Sequence, residues 1–285
     1  MTRFASVLVT ALVGGCASAP ARTARTSQDT TVTLIVVATP KQSSLASVDL
    51  LVDGTPSRFL LDTGAALSSL GLDANTRRYR SLGSDTSTGV SGNAEPCDVV
   101  QPNELRLGGH RFAKPRIRRC DRNVVGMDLL GRFVFQVDLA AHALRILRSL
   151  PENLPRYRMQ ILRRGHMTIP IQIGDQHVQA LFDTGADSTI VDSAFVDQHP
   201  ELFVFARSEP GRDAHGHAVE SKVYRCPALD IGQHDLRDME VATFDFGSYL
   251  RSRMEGAPLI LGNNVISQAR WTFDVGASEW TLESP

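Results

Sequence analysis

Aromatic residues are scarce in this 285-residue sequence, at 6% with only 2 Trp and 4 Tyr. A core with so few rings must be filled mainly by Leu, Val and Ile. Net charge is also small, since 30 basic residues nearly balance 31 acidic ones. Nothing in that balance suggests a polyanion-binding protein, and no nucleic acid is expected as a partner. Cysteines number 4, and none has the Cys/His spacing of a zinc site, so neither metal nor cofactor is expected. Long hydrophobic runs are missing, and the apolar stretch at residues 4–13 is too short to span a bilayer. What is present is a globular balance, 42% hydrophobic and 21% charged, in a chain long enough for two domains.

The apolar stretch follows Arg3 and ends at Gly14-Gly15-Cys16, the pattern of a secretory leader. Small residues directly before a cysteine resemble a bacterial lipobox, which implies a signal peptide over 1–15 and lipidation of Cys16. The membrane then becomes a partner through that lipid. The uncharged Ala17 implies the outer membrane, facing the periplasm; the alternative is cleavage near Ala17-Ser18-Ala19 and a secreted protein. Residues 16–31 have no apolar periodicity and read as a flexible tether. Cys97, Cys120 and Cys226 remain, an odd number, giving one disulfide and one free thiol. Of three pairings, Cys97 with Cys120 is preferred because both fall in the first half.

The chain repeats itself. Residues 52–65 read VDGTPSRFLLDTGA and residues 173–186 read IGDQHVQALFDTGA, with Asp62 and Asp183 offset by 121. Further matches pair 90–94 with 214–218 and 105–108 with 229–232 at an offset of 124. A third pairs 124–130 with 260–266, continuing to Asp138 and Asp274, at an offset of 136. The growing offset places an insertion of 12 residues between Gly232 and Gly262. Two homologous lobes follow, 32–150 and 156–283, each made of short apolar runs broken by Gly, Asp and Asn. That pattern predicts an all-β fold, with a short helix near 127–132 and another near 263–268.

A lone Asp-Thr-Gly is a common turn, but two copies behind apolar strands at matched places of a duplication are not. With the shared Ala65 and Ala186, the glycine-tipped hairpins and the apolar-apolar-Gly segments, the chain resembles the retropepsin-like aspartic peptidases in a bacterial single-chain form. The resemblance covers residues 45–140 and 165–275. It implies two retropepsin/pepsin-like β-barrel lobes about a pseudo-twofold axis, with the active site in the cleft between them. It also implies that Asp62 and Asp183 form a catalytic dyad that activates water to hydrolyse a peptide bond. Thr63 and Thr184 would then bond across the axis. Gly64 and Gly185 would allow close approach and offer N–H donors, and Gly126 and Gly262 would pass beneath the loops.

Ala65 and Ala186 lack the hydroxyl that pepsin-like enzymes place there to favour the charged carboxylate, so a less acidic working range is expected. Gly92 and Gly216 mark flap tips within 86–95 and 213–220. His215 and His217 read as a solvated flap tip. The basic residues Arg111, Lys114, Arg116, Arg118, Arg119 and Arg122 read as a solvated or edge-protecting face. The expected partner is an extended peptide or protein, with no nucleic acid and the chain a monomer. Too few residues separate Cys16 from the first lobe for a long inhibitory pro-segment, so no activation step is expected. The competing reading is a catalytically silent, peptide-binding envelope lipoprotein on the same fold.

Overall fold

The structure, a computed structural model, describes residues 8–9, 28–38, 44–90, 92–213 and 218–284. The expected leader is described only at Leu8–Val9, which pairs with Arg212 and Asp213. Cys16, most of the tether, and Gly216 with His215 and His217 lie outside the described residues. Among the described residues no helix is long and apolar enough to cross a membrane.

The fold is all-β, with two lobes of matching design related by a pseudo-twofold axis. In each lobe a hairpin brings up the Asp-Thr-Gly loop. In the first, Ser44–Val52 pairs with Thr55–Leu61; in the second, Met167–Ile173 pairs with Gln176–Phe182. Alternation sets their faces: Ala46, Val48, Leu50 and Val52 are buried while Asp49 and Leu51 point outward. The second strand of each hairpin then pairs in parallel with an apolar-apolar-Gly segment, Val124–Val125 or Leu259–Leu261. A one-turn helix follows each segment, Met127–Leu130 and Asn263–Ile266.

The lobes join through strands that are themselves repeat partners. Val134–Asp138 pairs antiparallel with Arg270–Asp274, and Gln136 lies opposite Thr272, its counterpart at an offset of 136. The axis therefore passes between these two residues, where Gln136 Nε2 donates to Thr272 Oγ1 at 2.9 Å. One cluster of the scarce aromatics lies at this junction. Phe182 meets Phe273 edge-on at 4.7 Å and lies tilted against Trp271 at 5.1 Å, and Phe135 meets Phe273 at 5.4 Å. Each such pair contributes about 1 kcal/mol beyond its buried area. Aliphatic side chains fill most of the remaining core.

Cys97 and Cys120 form a disulfide within the first lobe. Cys226 is free and buried, and burial pushes its thiol up to about 11, which leaves it inert.

Candidate active site

Each Asp-Thr-Gly loop is held from below in the same way. Asp62 N donates to Val125 O and Asp183 N to Leu261 O, both at 3.0 Å. Ala65 O accepts from Met127 N at 2.8 Å, and Ala186 O from Asn263 N at 2.9 Å. This close approach leaves no room for a side chain on the glycine between. A Cβ on Gly126 would lie 2.6 Å from Ala65 O, and one on Gly262 would overlap the Ser188 backbone.

A second support repeats as well. Asp128 Oδ1 accepts from Ser68 N at 2.8 Å and Ser68 Oγ at 2.5 Å, while Ser68 Oγ accepts from Gly126 N at 2.9 Å. In the other lobe Asn264 Oδ1 accepts from Thr189 N and Oγ1 at 2.7 and 2.9 Å, and Thr189 Oγ1 accepts from Gly262 N at 3.1 Å. These four residues were missed in the sequence. Their signal is there: Ser68 and Thr189 are 121 apart, and Asp128 and Asn264 are 136 apart, the offsets of the duplication.

The two loops lock together across the axis. Thr63 Oγ1 donates to Phe182 O at 2.7 Å and accepts from Thr184 N at 3.0 Å. Thr184 Oγ1 donates to Leu61 O at 2.8 Å and accepts from Thr63 N at 3.1 Å. Four buried bonds, two from each lobe, therefore fix Asp62 and Asp183 as neighbours. Gly64 lies so near the second loop that a Cβ on it would overlap the Asp183 carboxyl. Gly185 N donates to Asp183 Oδ1 at 2.8 Å. Asp62, Asp183, Ala65 and Ala186 are all buried.

His166 is wholly buried against the Gly64 backbone. Burial, and then the Arg164 charge, push its imidazole down to about 4. Nothing in the sequence singled it out, because its counterpart at an offset of 121 is Leu45.

Above the loops stands the first-lobe hairpin, Gly83–Thr88 with Ala94–Val100, turning through Gly92 at φ +82. Its tip leans on the other lobe. Val90 is 3% exposed and joins an apolar cluster with Ile190, Ala242, Phe246 and Leu250. Gly92 faces Tyr249, 3.8 Å from a Cβ built on it. Phe246, Tyr249 and Leu250 belong to the segment that carries the insertion, whose helix Gly247–Arg253 is pinned by a bidentate pair. Arg251 Nε donates to Asp192 Oδ2 at 2.6 Å, and Nη2 to Oδ1 at 2.9 Å.

The basic run departs from its expected solvated face at two places. Arg118 is 4% exposed. Arg119 is nearly as enclosed, and donates to Thr76 O at 2.8 Å, Tyr79 O at 3.0 Å and Asp98 Oδ2 at 2.5 Å. Side chains of strand Ile117–Cys120 leave its two faces, and both faces are covered, Arg118 by the chain at Leu67 and Thr86 and Arg119 by the chain at Thr76 and Tyr79.

Chemically, two buried carboxyls on adjoining loops from opposite lobes form a site suited to proton transfer with water as the nucleophile. A sequence profile of the aspartyl protease family matches residues 169–265, which include Asp183 and Gly262. This match supports a protease-type function. No curated protein matches the chain. Among solved structures, the chain is similar to conglutin gamma, a basic 7S globulin from lupine seeds. That likeness has 12% identity and a TM-score of 0.54, covering 90% of this chain and 96% of that one. At this identity the likeness concerns the fold alone.

Proposed function

We propose that this chain is an aspartic endopeptidase whose single site combines Asp62 and Asp183. The observation that carries the reading is the reciprocal threonine lock, four hydrogen bonds whose effect is to hold two buried carboxyls side by side. Two carboxylates at such range do not both ionise, so they share one proton, as in aspartic proteases generally.

The ionised member takes a proton from a bound water as its oxygen bonds to the peptide carbonyl carbon. The protonated member gives its proton to the carbonyl oxygen, forming a neutral diol. One diol proton then returns to the dyad and another proton passes to the amide nitrogen as the C–N bond breaks. An acid and an amine leave, and the dyad again holds one proton. The extended substrate would lie under the flap and bond to its backbone by strand addition. Lipid attachment through Cys16 would place the site at a bacterial envelope.

The test is cleavage of a peptide library by wild type, Asp62→Asn and Asp183→Asn. Each substitution is expected to lower kcat by about 10³-fold or more with the fold retained. Full activity in either variant, or none in wild type over pH 3–8, refutes the reading; the second result favours the silent binder.

A further inference from the structure

Arg118 Nη2 donates to Leu67 O at 2.6 Å and Nη1 to Thr86 O at 3.3 Å. Leu67 lies in the loop that begins at Asp62, and Thr86 lies in the flap strand Gly83–Thr88. One planar fork therefore joins the catalytic loop to the flap.

The second lobe shows what this fork is not required for. Arg118 lies beside Ser69 in parallel register, and Ala242 lies beside Ile190 in the matching pair. Beneath the loops, Asp128 matches Asn264. The first lobe thus holds a buried Arg118 and a half-buried Asp128 where the second holds Ala and Asn. Burying ions costs several kcal/mol each, and the second lobe supports its loop without them. Loop support does not explain the charges.

Their surroundings do. The carboxylates within electrostatic reach of Arg118 are Asp85 on the flap strand, Asp128 below the loop, and Asp62. Burial holds Asp128 above the usual carboxylate range, against hydrogen bonds from Ser68 and the charges of Arg118 and Arg132. In the second lobe are Asp183, the buried Asp187 (where the first loop has Ala66), and Arg164 within electrostatic reach of His166, with His166 neutral above about 4.

We propose that Arg118 is a positioning residue that fastens the Asp62 loop to the flap and makes Asp62 the ionised, water-activating member of the pair, leaving the shared proton on Asp183. This rests on the aspartic-peptidase reading. A cation beside a carboxylate favours its charged form, and an anion opposes it. Removing Arg118 must therefore raise the pH at which Asp62 protonates, and neutralising Asp128 must lower it. A purely structural support predicts no such opposition of sign.

The experiment is a carbon-13 NMR titration of labelled aspartate carboxyls, assigned with Asp62→Asn and Asp183→Asn, alongside the pH profile of kcat/KM. Arg118→Met is expected to move the Asp62 titration up by about one pH unit. Arg118→Lys restores it, and Asp128→Asn moves it down by less. An unmoved Asp62 titration in Arg118→Met, or a shift of the same sign in Asp128→Asn, overturns the proposal. If Arg118→Met does not fold, Asp128→Asn decides alone by the direction of its shift. Titrations that behave as described in a chain that cleaves nothing would sink the peptidase reading while the Arg118 assignment stands.

Discussion

The two lobes hold their aspartates by the same backbone device and surround them with different chemistry. In the first, the strand beside the loop carries Arg118, its support is Asp128, and the flap is tied at its base by Arg118, Arg119 and the Cys97–Cys120 bridge. In the second, the same places carry Ala242 and Asn264, and the space is filled by Leu181, Ile190, Phe246 and Leu250 under the inserted helix. What the lobes share is shape and hydrogen-bond acceptors: a bare glycine under each loop and an oxygen for each Ser68 or Thr189. What differs is charge and apolar filling. An Asp-Thr-Gly loop is held by the first set, and the second is free to take on separate tasks in each lobe.

Substituting the shared glycines tests the common part and has the largest expected effect. Gly126→Ala and Gly262→Ala each force a Cβ into backbone that cannot move aside, so each should lose ~3 kcal/mol or more in urea unfolding. Gly262→Ala should be the worse, because its Cβ would lie nearer its neighbour. A loss under 1 kcal/mol at either position would show that the close approach is not a constraint.

His166 tests an asymmetry, since Leu45 stands at its matched place. Its folded pKa, about 4, lies below the ordinary value near 6.5, so the unfolded chain binds the extra proton first. The stability it contributes is complete above pH 6.5 and is lost as pH falls towards 4. Wild type should lose roughly 2–3 kcal/mol more than His166→Leu across that interval. Equal losses in both proteins would remove His166 as an acid limit.

The smallest effect concerns the flap tip, where the lobes touch. Val90→Ser removes an apolar anchor from the second-lobe cluster at a cost of about 1 kcal/mol. Amide exchange at Gly89 and Gly92 should quicken about fivefold, while exchange at Val125 and Leu261 stays as it was. Uniform change at all four sites would mean that the flap tip is not a separate unit.

Duplication made the centre of this molecule legible. Asp62, Thr63, Gly64, Gly126 and their partners each appear twice at fixed offsets, and agreement between two copies filters out chance turns. Arg118 escaped because a strand rich in arginine ordinarily faces water. Only the loop at Leu67 and the flap strand at Thr86, both distant in sequence, receive its guanidinium. Phe246, Tyr249 and Leu250 escaped for the opposite reason: they lie around an insertion with no second copy to compare.

Two copies of a short strand–loop pattern, written in local residue order, determined by themselves that the chain is all-β, where its turns fall, and which acidic residues are equivalent. Tertiary structure alone decided that strands 134–138 and 270–274 pair with each other, that the first flap rests on the second lobe's insertion, and that a guanidinium sits buried behind one loop and not the other. Hairpins and glycine turns are set by neighbours in the chain, a few residues at a time. Burial and charge balance are set by whatever surfaces meet in space, and no residue carries that information alone.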